Sequence, residues 1–427
     1  MTKPAPPPQA PVGDWATDFD LAEPEYNERA VEIWSDLRSR CPVAHTTRYG
    51  GAWLPVRHEH IRQIAYDTEH YTSRGVVVGN LRPIVPGPAG AAPPITSDPP
   101  FHGEARRLLL PAFAPKRIAL LEPDIRLLCQ RQLAKLGSVS AGDQIDAAVD
   151  YAQQVPGAVM ARLLGLPETD HELFRGFVHD LLEGVNLPED EMARRRDRFD
   201  AYLDEQIAAH RRAPQDDLTT FLSEATIDGQ PLAPQHVRGT IALLLLAGID
   251  TTWSLLGSSL HHLATHQADL KRLRENPSLL PTAIEEFLRA YAPATMARLV
   301  KQSHDFHGHA FQEEDWVLLP FAAANRDPEV FERADEILID RAVNPHAAFG
   351  LGIHRCLGSN LARLELRVAL EEFLARFPSF EPGDEAVRWS VGQIRGPRRL
   401  SLRLLEVQNP IAPETTIPRT EYTRSRS

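Results

Sequence analysis

The chain has 427 residues, with 46 Lys plus Arg against 58 Asp plus Glu, a net charge of −12, 43% hydrophobic and 24% charged residues. That usage can bury a large core, which excludes a wholly disordered chain. The acidic balance excludes a general nucleic-acid binder, which needs a basic surface. Three cysteines, Cys41, Cys129 and Cys356, are odd in number, far apart and at no zinc-finger spacing, so a disulfide scaffold is not expected and a reducing cytoplasm is. No signal-peptide core opens the chain, and the longest apolar run, Ile241 to Ile249, falls well short of the ~20 residues that cross a bilayer. The expectation is a soluble cytoplasmic protein without membrane or nucleic-acid partners.

In chain order, residues 1–13 read as a disordered Pro-rich arm, 14–406 as a single domain, and 407–427 as a tail or the start of a linker. A short strand is predicted at Ala52 to Val56. Residues 75–100 form a Gly/Pro-rich loop of a length that is usually functional. Apolar residues at three- and four-residue spacing predict helices at Ala112 to Leu136, Tyr151 to Leu164 and Glu191 to Arg211, punctuated by Pro167 and Pro188. Gln235 to Leu273 reads as one long helix buried on all sides. A helix at Thr282 to Tyr291 ends before Pro293, a strand follows at Val317 to Leu319, then a helix at Leu357 to Phe377 and a strand at Leu400 to Leu404. The fold class is mainly α with a small β-sheet part.

Four constellations carry chemistry. Phe349-Gly-Leu-Gly-Ile-His-Arg-Cys356-Leu-Gly358 surrounds a cysteine with Gly350, Gly352 and Gly358, sets an aromatic residue seven positions before it and starts a helix just after it. Glycines let a backbone approach a flat ligand, and a helix start favours thiolate over thiol. A thiolate held this way ligates haem iron, with Phe349 shielding the sulfur. Ala247-Gly248-Ile249-Asp250-Thr251-Thr252 places a Gly, an acid and two hydroxyls inside an apolar helix, which is costly unless they are paired or used; a kink with Thr bonded back to a carbonyl is the plainer reading. Glu286 and Arg289 lie three apart on one helix face and can pair. Asp98-Pro-Pro-Phe-His102 with Arg106 sets His102 and Arg106 on one helix face, and Arg298 and His354 add further donors of the kind that two buried carboxylates need.

The cysteine segment resembles the haem-binding loop of the cytochrome P-450 monooxygenases, and the other three groups match that family in order and spacing from roughly Asp14 to Leu405. The resemblance implies the cytochrome P-450 fold, haem b with Cys356 as axial iron ligand, and Gly350, Gly352, His354 and Gly358 in the haem loop. It implies that Ala247 and Gly248 make room for dioxygen, that the Thr251 hydroxyl orders water, and that Asp250 feeds protons. His102, Arg106, Arg298 and His354 would hold the haem propionates. Glu286, Arg289 and Arg341 would lock the segment before the haem loop. By family position the substrate walls are the 75–97 loop with Leu243, Leu244, Thr295, Met296, Val391, Gln393 and Ile394. Few polar anchors appear among them, which suits an uncharged substrate.

Three segments, Ala247 to Ser254, Arg289 to Arg298 and His346 to Cys356, look closest to one subgroup. It includes haem domains fused to a phthalate-dioxygenase-type reductase and stand-alone thiocarbamate-degrading relatives, associated with hydroxylation and O- or N-dealkylation of small aromatic compounds. The family's Pro-x-Gly turn before Val317 is replaced by Gln312-Glu-Glu-Asp315, which should alter only a surface turn. No cysteine follows Cys356, so no plant-type iron–sulfur module follows either. The expectation is a stand-alone enzyme or an excised haem domain, with electrons from a ferredoxin plus reductase or from a fused reductase absent from this chain. Arg107, Lys116, Arg117, Arg355 and Arg363 would form the docking patch. The rival functions are a peroxide-driven peroxygenase of the same fold and a haem-thiolate binder or sensor without turnover.

Overall fold

The computed structural model describes residues 10–79, 82–83, 89–183 and 189–408. Most of the expected arm and tail, and the middle of the 75–100 loop, lie outside the described residues. The long helix, Pro234–Thr265, begins on a proline, whose missing N–H is not needed in a first turn. It forms the axis of the larger of two apolar clusters and packs most extensively against the helix Gln154–Leu164. By length and composition it alone among the described residues is apolar enough to cross a membrane, yet most of it is buried inside the protein. The second cluster lies under a five-stranded sheet ordered Val43–Thr46, Ala52–Pro55, Trp316–Pro320, Thr295–Val300 and Tyr71–Thr72. Only the pairing of Trp316–Pro320 with Ala52–Pro55 is parallel. A smaller sheet joins Ser379–Pro382, Ser401–Glu406 and Gln144–Asp146. The chain is mainly α with a small β part.

Local chemistry moves several helix boundaries. The span expected as one helix from Ala112 is three pieces, Leu110–Phe113, Pro115–Ala119 and Glu122–Lys135. Pro115 and Pro123 lack the N–H that a continuing helix needs, so each sits in the first turn of a new one. Tyr151 belongs to a π-turn, Ala148–Ala152, ahead of Gln154–Leu164, which ends at Gly165 with φ +67. The long helix stops at His266, and Gln267–Glu275 is a separate helix. There the Thr265 hydroxyl donates to the carbonyls of His261 and His262 at 2.9 and 3.1 Å, and the Gln267 amide donates to those of Ala264 and Phe380 at 2.7 and 2.9 Å. Side chains thus replace the backbone ladder. The helix Ser359–Arg376 follows the cysteine loop. The segment Gln312 to Asp315 is a turn closed by its own backbone, with Asp315 accepting from the Trp53 indole at 2.8 Å.

Candidate functional site

The cysteine loop is shaped by two left-handed glycines, Gly350 (φ +72) and Gly352 (φ +69). Any side chain at Gly352 would also collide with the Ala65 carbonyl, so this glycine serves packing against the helix His58–Tyr66 rather than approach to a flat ligand. The loop closes where the Cys356 amide donates to the Phe349 carbonyl at 2.7 Å. It then enters Ser359–Arg376 through Gly358. Cys356 is a free cysteine with an exposed side chain. Burial of its surroundings pushes the thiol up, against the Gly358 amide and the charges of Arg106, Arg355 and Arg363, which favour thiolate. Phe349 is half-buried beside it.

The short helix Phe101–Leu109 ties this loop to the long helix. The rings of His102 and His354 are 4.3 Å apart, Arg106 donates to the Arg355 carbonyl at 2.5 Å, and Phe101 lies 5.3 Å from His236 at the start of the long helix. Arg298 completes the group electrostatically: burial lowers the His354 imidazole to about 2, with Arg298, His102 and Arg106 adding to the effect. Burial also brings the Arg298 guanidinium down to about 10, with Asp98 the one carboxylate acting against it. Its hydrogen bond goes to its neighbour's carbonyl, Ala297, at 2.7 Å. His102 is buried, its Nε2 meets no hydrogen-bond partner, and its imidazole is lowered by burial and by Arg106 and Arg298. The cluster is cationic and short of anions. Ser73, which the sequence reading missed, pairs with His354 Nε2 at 2.8 Å, and Asp98 accepts from the Ser73 amide at 2.9 Å.

The long helix is not buried on all sides. Ala247 is the one exposed residue between His236 and Ala264, flanked by partly open Leu243 and Thr251. Positions i, i+4 and i+8 lie on one face, so the opening is a stripe on the core helix. The Thr251 hydroxyl donates to the Ala247 carbonyl at 2.8 Å. Gly248 is not on this stripe. A side chain there would meet Met160 Sδ at 2.6 Å, so the glycine lets two helices approach. Asp250 is fully buried, 2.8 Å from Arg398 of the strand Pro397–Arg399. No spacing signal could have paired residues so distant in sequence.

Behind the loop, Arg289 and Glu286 are both fully buried and joined through 2.8 Å contacts, and Arg341 reaches Glu286 at 2.9 Å. Burial works against the Glu286 charge, yet Arg289, the Leu338 amide and Arg341 hold its carboxyl below the usual range. Arg289 also donates to the carbonyls of Asn325, Ala334 and Glu336, and Asn325 accepts from the Ala347 amide at 2.6 Å. This network ties the helix Leu280–Tyr291 to the approach of the cysteine loop. Removing one member of such a buried pair typically costs about 3–5 kcal/mol.

Three expected roles change. Gln393 does not offer its amide to the cleft: it donates to the carbonyls of Val76 and Thr295 at 3.1 and 2.7 Å and accepts from the Val78 amide. Leu244 and Thr295 are buried, Leu244 within the core cluster, while Leu243, Met296, Val391 and Ile394 remain half-open. Arg363 is no free docking cation. It pairs with both oxygens of Glu285 at 2.6 and 2.8 Å and lies 4.5 Å from the Phe349 ring centre. Arg107, Lys116 and Arg355 are exposed, and Arg117 is half-buried.

The sequence pattern of the cytochrome P450 family matches residues 179–389. The chain is 32% identical to the mycinamicin IV hydroxylase/epoxidase of Micromonospora griseorubida, over 86% of this chain and 94% of that protein. It is 34% identical to cytochrome P450 107B1 of Saccharopolyspora erythraea, over 82% and 89%. The crystal structure of CYP109E1 from Bacillus megaterium in complex with testosterone matches with a TM-score of 0.81 at 28% identity, covering 89% of this chain and 99% of that one. The chain belongs to the cytochrome P450 family and is a haem b-dependent monooxygenase.

Proposed function

We propose that the chain inserts one atom of dioxygen into a small uncharged organic compound, by hydroxylation or by O- or N-dealkylation of an aromatic or related substrate. Cys356 would supply the thiolate that holds the haem iron, with electrons from NAD(P)H by way of a redox partner. The observation that carries this reading is the anion-short cluster beside an open cysteine. His102 with its unpartnered Nε2, buried Arg298, Arg106 and His354 fit the two carboxylates of haem b. When bound, the haem supplies the redox and dioxygen chemistry that side chains lack. The chain's residues do the rest. The loop presents the Cys356 sulfur with the Gly358 amide turned to it. The stripe Leu243, Ala247 and Thr251 leaves room above, Thr251 Oγ1 orders water there, and Asp250 supplies protons from behind the helix.

The subgroup likeness, to haem domains fused to phthalate-dioxygenase-type reductases and to thiocarbamate-degrading relatives, is supported by the three matched segments and by half-open, apolar Leu243, Met296, Val391 and Ile394. The test is a titration of the ferric protein with alkyl aryl ethers, alkylbenzenes and thiocarbamates, following the low- to high-spin shift of the Soret band. A shift with the aromatic ethers is expected. No shift across the panel overturns the substrate class.

Electrons enter over the cysteine loop. The helix Pro115–Ala119 packs on Ser359–Arg376, and Asn360 donates to the Phe113 carbonyl at 3.3 Å, so exposed Lys116 is carried on a helix packed against the one that leaves the cysteine loop, and Arg107 and Arg355 are exposed as well. Charge reversal, Lys116→Glu, is expected to slow reduction by an acidic ferredoxin about three- to tenfold at low salt, with the difference shrinking as salt rises. An unchanged rate at low salt removes the docking assignment. With its three cysteines unpaired, the protein works in the cytoplasm.

A further inference from the structure

The acid of the long helix has a partner that the proton-delivery reading leaves without a role. Arg398 comes within 2.8 Å of Asp250 Oδ1 and donates to the Ser254 hydroxyl at 3.1 Å. Its guanidinium lies 4.3 Å from the centre of the Trp253 ring. The strand that carries it is laid directly on this turn of the helix. The Trp253 indole donates to the Pro397 carbonyl at 3.3 Å, and a side chain at Gly396 would press into Ser254. One cation therefore touches Asp250, Trp253 and Ser254, three positions within about one turn of the helix.

Asp250 lies one residue before Thr251, about 100° from it around the axis, and flanks the open stripe. Its buried carboxylate meets Arg398 of the strand. A buried carboxylate adopts the direction in which its charge is met, and here the Arg398 charge, held by its bond to the Ser254 hydroxyl and by the Trp253 ring, meets it from the strand. We infer that Arg398 is the positioning residue for Asp250, setting how readily the acid passes a proton toward the Thr251 hydroxyl. The inference rests on the reading of Asp250 as proton donor. It differs from a purely structural staple between helix and strand, which would leave proton transfer untouched.

The experiment uses the haem-loaded full chain and the variants D250N, R398Q, R398K, S254A and D250N/R398Q. The first readout needs no turnover. The infrared carboxylate band of Asp250, identified by its loss in D250N, is expected to shift in R398Q and to stay in R398K. The second is NAD(P)H consumption, with its solvent deuterium isotope effect and peroxide yield, using a plant-type ferredoxin and its reductase without substrate. D250N and R398Q are each expected to slow consumption about tenfold and to raise the share released as peroxide. R398K recovers most of the rate, and the double variant is no slower than D250N alone. If D250N slows turnover and R398Q does not, or if the two effects multiply, Arg398 does not act through the acid. If D250N itself changes nothing, the proton-donor reading fails, and the infrared band still decides whether Arg398 holds the carboxylate. If R398Q does not fold, S254A, which removes the hydroxyl that accepts from Arg398, is expected to move the band and slow turnover about twofold; no change in either overturns the proposal.

Discussion

Replacing Cys356 with serine is expected to abolish the thiolate-type spectrum of the reduced carbon monoxide complex while leaving the fold in place. The substitution removes one atom type from an open position and keeps the loop's backbone bonds, so little packing is lost. Neither remaining cysteine can substitute. Cys129 is fully buried, and burial pushes its thiol up to about 12. Cys41 closes the helix Ala30–Arg40 with its sulfur 3.5 Å from the Val43 carbonyl. A hydroxyl gives iron a weaker and harder donor than a thiolate does. The cation cluster is separate from the sulfur, so Cys356→Ser protein should still take up haem, measured as haem per chain. Persistence of the thiolate-type spectrum refutes the ligand assignment.

The second large effect is expected from Thr251→Ala. The hydroxyl now donates to the Ala247 carbonyl, an i−4 bond that adds little to a helix, and alanine is the better helix former by a few tenths of a kcal/mol. Melting temperature and haem content should hold. Product per NAD(P)H consumed should fall about tenfold or more, within the range of a lost proton-transfer contribution, with the missing equivalents recovered as peroxide. The assay takes whichever panel compound gives the largest spin shift. Unaltered coupling would sink the role of Thr251. A peroxide-driven enzyme or a haem protein that only binds would show no such loss, so the same variant separates those functions from a monooxygenase.

The sequence displayed what depends on near neighbours. The glycines and helix start around Cys356, the polar interruption at Asp250 and Thr251, and the three-residue spacing of Glu286 and Arg289 are all visible within a few positions. What it hid is set by partners far along the chain. Gly248 reads as space for a ligand until Met160 is beside it. Arg363 reads as a surface charge until Glu285 meets it. Gln393 reads as a polar wall residue until three backbone groups claim its amide, and Arg398 is invisible without the fold. The helix breaks at Pro115, Pro123 and His266 were obscured for a different reason: apolar periodicity runs across them because the pieces share one core.

The Gln393 amide has a practical consequence for altering this protein. It binds the 76–78 segment, the start of the strand at Thr295 and the 391–394 turn into one unit, so these three stretches of the cleft move together or not at all. A directed-evolution library aimed at new substrates should therefore vary Val391, Ile394, Met296 and Leu243, whose side chains are only partly buried, and spare position 393. Reshaping then falls on the lining and leaves its frame intact.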